Sequence, residues 1–73
     1  MMEIAIRTEV IRLGQLLKLA AVVESGSEAK ARIQGGEVLV NDVVDTRRGR
    51  QLRCGDRVRI GNEQILIIHE TEA

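Results

Sequence analysis

The sequence predicts an α+β domain: two packed helices against a small, twisted, mainly antiparallel sheet of four or five strands. Three observations predict it. Apolar residues recur at helical spacing from Leu13 and again from Ala29. The double glycine Gly35-Gly36 then interrupts the chain. Beyond it the apolar period falls to two.

The elements follow in order. Glu3-Ile4-Ala5-Ile6 reads as a short strand. Residues 7–11 are ambiguous: Val10 and Ile11 favour a continued strand, whereas Thr8 before Glu9 could cap a helix. Leu13, Leu16, Leu17 and Ala20 fall at i, i+3, i+4 and i+7, one stripe facing a core, with Gly14, Gln15 and Lys18 on the opposite side. "AAVVESG" breaks that pattern. Ser25 or Ser27 then caps a second helix, with Glu28 in its first turn and Ala29 and Ile33 on its buried edge. Ser27, Lys30 and Gln34 share one face of it, within about 60° on a helical wheel, and Arg32 lies roughly 160° from Lys30. In "EVLV", Val38 and Val40 alternate with Glu37 and Leu39, Asn41-Asp42 is a turn, and "VVDT" begins the return strand of a hairpin. "RRGRQLRCGD" is an arginine-rich loop, "RVRI" a strand with Val58 and Ile60 inward, Gly61-Asn62 a turn, "QILII" the last strand, and "HETEA" a frayed tail.

A chain of 73 residues holds one domain, residues 1–73, with a core over about 11–68. At this length only about 60% of the unfolded surface is buried, so deep, water-excluding catalytic clefts are hard to build. There is no Phe, Tyr or Trp, so the core is aliphatic, and no ring is available to stack single-stranded bases. A nucleic-acid partner would have to be a folded RNA or a duplex, held by charge, hydrogen bonds and shape.

The formal net charge is zero, from 11 basic and 11 acidic side chains, which argues against a nucleic-acid binder. Its distribution argues the other way. Residues 1–29 carry Arg7, Arg12 and Lys18 against Glu3, Glu9, Glu24 and Glu28. Residues 46–60 carry Arg47, Arg48, Arg50, Arg53, Arg57 and Arg59 against Asp56 alone, six minus one, a local net of +5. A single Cys54 excludes an internal disulfide, and with one histidine, His69, no zinc set or nucleophile–base pair is identifiable. No metal, cofactor or small-molecule substrate is expected. No secretory or membrane-spanning apolar run appears, so a reducing, cytoplasmic setting without membrane contact is expected.

The order helix, Ser-capped helix, double glycine, "EVLVND" hairpin, arginine loop and "CGD" turn resembles the S4 domain. That domain is the RNA-binding module of a small-subunit ribosomal protein, of pseudouridine synthases and of tyrosyl-tRNA synthetases. The residues that carry the resemblance are Arg12-Leu13, Leu16-Leu17, Ser25, Ala29-Lys30, Ile33, Gly36, Val38, Val40-Asn41 and Gly55-Asp56, spread over about two-thirds of the chain. "LGQLLKLA", "ESGSEAK" and "RRGRQLR" look especially like the short, stand-alone S4 proteins of bacteria. The resemblance implies that the two helices and the adjoining loop form one RNA-facing surface. The family's basic helix positions would fall on Arg12 and Lys30, its capping serine on Ser25, and the stand-alone members' basic loop on Arg47, Arg48, Arg50 and Arg53. Gly14 stands where an acid is common and Gly26 where a basic residue is frequent, so contacts from those positions are not carried over. Cys54 replaces a frequent proline and reads as structural filler.

Physical chemistry supports the same surface. A helix N-terminus offers unpaired N–H groups and a positive dipole, suited to phosphate, and arginine forks fit phosphate bidentately. The candidate RNA contacts are therefore Arg12, Lys18, Ser25, Ser27, Lys30, Gln34, Arg47, Arg48, Arg50 and Arg53, with no catalytic residue. Arg57 and Arg59 are left open between RNA contact and plain solvation. Arg32 is expected to face solvent or an ion-pair partner, and Asp45 and Asp56 to form surface bridges of little energetic value. The expected role is non-catalytic binding of structured RNA, ribosomal RNA or a ribosome-associated tRNA, in ribosome assembly, by a monomer. The rival is a protein-interaction module that kept the fold without RNA.

Overall fold

The computed structural model describes residues 1–70. In chain order it contains β1 (Met2–Ile6), β2 (Ile11–Arg12), α1 (Leu13–Leu19), α2 (Gly26–Gln34), β3 (Val38–Val40), β4 (Val43–Val44), β5 (Gln51–Leu52), β6 (Arg57–Ile60) and β7 (Glu63–His69). A five-stranded sheet has the order β1-β7-β6-β3-β4, and β2 and β5 form a separate two-stranded ribbon. Only the β1–β7 pair of the main sheet is parallel; β7–β6, β6–β3 and β3–β4 are antiparallel. The expected fold class and strand number therefore hold.

The aliphatic core lies between the helices and one face of this sheet. Alternation sends Val38 and Val40, Val58 and Ile60, and Ile65 and Ile67 inward. Leu13, Leu16, Leu17, Ala29 and Ile33 meet them from the helices, all fully buried. With seven residues, α1 is far below the roughly 12–15 that an isolated helix needs, so this packing is what makes it helical. Ser25 caps α2: its hydroxyl accepts from the Glu28 amide at 3.1 Å, and Glu28 reaches back to accept from the Glu24 amide at 2.8 Å. Of the two serines, Ser27 sits inside the first turn instead.

Four local readings change. Residues 7–10 neither prolong β1 nor start α1; the chain bends there, and Ile11–Arg12 pairs with Gln51–Leu52. That strand lies within the stretch read as an arginine-rich loop, because Leu52 is fully buried and carries its neighbours into a ladder. Gly14 is buried rather than on the open face, for a reason given below. His69 ends β7 rather than opening a tail, and residues 71–73 of that tail lie outside the described residues.

The β3–β4 hairpin turns on Asn41 and Asp42, with φ of 50° and 71°, the left-handed pair of a type I′ turn. Asn41 also fastens the turn to β6: its Oδ1 accepts from the Arg57 amide at 2.9 Å and its Nδ2 donates to Asp56 Oδ1 at 3.1 Å. Asn41→Ala loses these bonds and a residue tolerant of positive φ, and is expected to destabilise the domain by about 2 kcal/mol. Asn41→Gly keeps the backbone freedom and should cost less. Urea unfolding of both variants checks the order.

Candidate nucleic-acid interface

An α-helix leaves its first N–H groups without intrahelical partners. In α1 the arginine-rich segment supplies them: the Leu13 amide donates to the Arg50 carbonyl at 2.9 Å and the Gly14 amide to the Arg48 carbonyl at 3.1 Å. Gln15 completes the end by accepting from the Arg12 amide at 3.2 Å. The β2–β5 ladder, Ile11 with Leu52 and Arg12 with Gln51, continues this contact backward. The segment is thus docked along the start of α1 rather than projecting as a free loop.

Gly14 permits the approach. A Cβ there would lie 2.9 Å from Cγ of Arg48, whose stem covers the glycine. The sequence signal was an isolated glycine in a helical pattern, which marks close approach of another part of the chain.

Asp45 braces the segment from within. Its side chain is only 6% exposed and receives Arg47 Nη2 at 2.8 Å and Arg50 Nη1 at 2.6 Å. The Arg47 amide also donates to Asp45 Oδ1 at 2.9 Å, closing an Asx turn. The Arg47 guanidinium, and after it the Arg47 amide and Arg50, hold the Asp45 carboxyl far below the usual carboxylate range, against the opposing effect of burial. Asp45 is therefore a buried anchor and not the weak surface bridge expected of it. The "D-T-R" spacing could have shown this, since an Asp two residues before a backbone donor favours such a turn.

An open groove of about 310 Å³ lies between these parts, lined by Arg12, Gly14, Gln15, Lys18, Gly26, Ala29, Arg48 and Gly49. It joins the start of α1, the first turn of α2 and the arginine segment. Three of its lining residues are cations and none is a carboxylate. Gly26, the first residue of α2, has open space where a Cβ would stand, so the helix end reaches the groove without a side chain before it. Of the segment's arginines, Arg48 shares this groove with Gly26 and Ala29 of the second helix.

The expected contact residues divide accordingly. Arg12, Lys18 and Arg48 line the groove. Ser25 is committed to the α2 cap. Ser27, Lys30 and Gln34 are exposed on α2 outside the lining. Arg47 and Arg50 are committed to Asp45, although the Arg47 side chain is still 69% exposed. Arg53 sits in the turn closed by its amide to Asp56 Oδ2 at 2.7 Å, away from the lining. Arg32 pairs with Glu37 at 3.2 Å, as its position opposite Lys30 suggested. Gln15, a weaker polar-face candidate, and Gly26, from which no contact was carried over, also belong to the groove.

The S4 domain family model matches residues 4–68. The chain is also similar to "Probable ribosome maturation protein RlbA" of Bacillus subtilis (strain 168), 58% identical over 57 residues, which are 78% of this chain and 80% of that protein. Among the described residues no helix is long and apolar enough to cross a membrane.

The Asp45 brace sets a dependence on pH. A carboxyl depressed in the folded state contributes stability that is present above its unfolded pKa, near 4, and is lost as pH falls through the lower folded value. Asp45→Asn is expected to destabilise by about 2 kcal/mol at pH 7. Its deficit relative to the unmodified chain should shrink as pH falls below about 4, where the unfolded carboxyl takes up a proton that the paired native carboxylate resists. Denaturant titrations of both proteins between pH 2 and 7 measure the convergence, and parallel curves would contradict it.

Proposed function

Because the chain belongs to the S4 domain family, we propose that it binds structured RNA without catalysing a reaction, and that its RNA is ribosomal RNA, or a tRNA held on the ribosome, during ribosome assembly. The observation that carries this reading is the groove, where Arg12, Lys18 and Arg48 meet the start of α2 with no carboxylate among the lining residues. The family membership and the ribosome-maturation relative supply the RNA and the process; the groove supplies the chemistry.

A phosphate at this groove has two guanidiniums, a flexible ammonium and a helix end whose dipole favours negative charge among its lining groups. A-form RNA keeps its base edges in a deep, narrow groove, so recognition rests on backbone and shape. The chain fits that mode, since it has charge and hydrogen-bond donors but no aromatic ring. Nothing in this mode calls for a reacting group or a cofactor. A protein with this role acts in the cytoplasm, as a monomer, on RNA that is already folded.

The reading assigns different work to arginines that look equivalent in the sequence. Arg48 lines the groove, and its stem covers Gly14. Arg47 and Arg50 hold the segment in shape through Asp45, and Arg47 adds a peripheral charge. Lys30 is a flanking contact one turn into α2.

The rival reading, a protein-interaction module without RNA, draws on the net charge of zero. Salt separates the two. Log K for an RNA complex should fall against log salt by about 0.7–0.9 per phosphate neutralised, whereas a flat response selects the rival. Lys18→Glu combined with Arg48→Glu should weaken binding to deproteinised ribosomal RNA by at least about tenfold and make that slope shallower by about 1.5, with unfolding midpoints little changed. Filter-binding titrations at several salt concentrations read both quantities, and an unaltered affinity removes the groove from the contact.

A further inference from the structure

The main sheet has a second face, opposite the helices. Alternation turns Leu39, Arg57, Arg59, Leu66 and Ile68 outward there. Register sets Leu39 beside Arg59 and Arg57 beside Leu66, so two cations stand among aliphatic side chains. Leu39, Leu66 and Ile68 are half-buried, and among the described residues no layer covers that face. Arg57 is 3.6 Å from Asp42, a loose and exposed pair, and Arg59 has no carboxylate within ion-pair distance among the described residues. An acid on the face is Glu3, across from Leu66 on β1.

From this juxtaposition we infer that the outer sheet face docks a short acidic, aliphatic-bearing segment of a protein attached to the same RNA, so that the domain joins RNA on one side to protein on the other. The inference rests on the RNA reading above. Three arguments select that occupant. RNA alone gains little from branched aliphatic side chains, which cannot stack on bases, and the face has no ring that could. Aliphatic surface is buried to advantage only against other apolar groups, and arginine among such groups is characteristic of protein interfaces. The cations call for acids on the incoming segment.

The size of the face argues against a second copy. Five strands of two to seven residues, about four on average, cover on the order of 300 Å², against about 800 Å² per partner in a stable complex. A contact this small is useful where another tether keeps the partner near, because linkage turns the second event into an intramolecular one at high effective concentration. RNA bound in the groove is that tether.

The test compares intact ribosomal subunits with the deproteinised RNA of the same subunits, at about 0.15 M salt. There the screening length is about 8 Å, and charge changes on the outer face hardly reach the groove. The unmodified chain should bind subunits at least about tenfold more tightly than naked RNA. Arg57→Glu combined with Arg59→Glu should lose that margin while its affinity for naked RNA stays within about twofold. Leu39→Gln, which leaves the charge alone, should lose part of the same margin. Equal affinity of the unmodified chain for both targets overturns the inference, as does full retention of subunit affinity by the variants. A parallel loss on naked RNA also overturns it and assigns the face to RNA instead. If the unmodified chain binds neither target, the ribosomal reading itself fails and the inference falls with it.

Discussion

Two backbone hydrogen bonds, from the amides of Leu13 and Gly14 to the carbonyls of Arg50 and Arg48, decide where the positive charge of this protein stands. A helix of seven residues with an arginine at its N-cap and no acid in its first turn has little intrinsic reason to begin at Leu13. The arginine segment satisfies its start, and the helix in return gives the segment a fixed course. Each needs the other: without the segment the first amides of α1 lose their partners, and without the helix the arginines lose their backbone register. Gly14 makes the approach sterically possible, and Asp45 holds the turn that delivers Arg48.

The net charge of zero conceals a division of labour. Asp45 consumes two arginines to shape the segment, Glu37 takes Arg32, and Asp42 lies near Arg57. What remains for the groove is Arg12, Lys18 and Arg48, fewer cations than the local excess of the segment suggests. A site with few charges makes few phosphate contacts, and its non-specific affinity is correspondingly modest. Selectivity then depends on the shape presented between two helices and a docked segment rather than on total charge.

The fold was legible in the sequence because its signals were periodic. The stripe of Leu13, Leu16 and Leu17, the change of period after Gly36, and the Asn41-Asp42 turn each follow from local rules, and the S4 resemblance arranged them. What stayed hidden depended on contacts between distant residues. Strand β5 is two residues long and exists because Leu52 is buried beside Ile11, which no periodicity announces. Gly14 looked solvent-facing because its cover comes from Arg48, 34 positions further along the chain. The arginines looked alike because the local D-T-R spacing announces only the Asx turn from Asp45 to Arg47, not that the same carboxylate would also gather Arg50. The groove was anticipated in kind, as cations near the start of α2; that of the segment's arginines Arg48 alone would line it with Arg12 and Lys18 was not.

The parallel pairing of β1 with β7 has a kinetic meaning. Met2 lies against Ile65, so the first strand made is matched to the last. The β3–β4 hairpin pairs residues close in sequence and α1 meets the arginine segment roughly 35 positions on, whereas β1 needs a partner more than sixty positions away, at a larger loop-closure cost. Loop closure alone therefore favours an order in which α1 and the arginine segment meet before the edge strand β1 seals the sheet. In that order Ile6 joins the hydrophobic core last, and the groove takes shape before the sheet is complete.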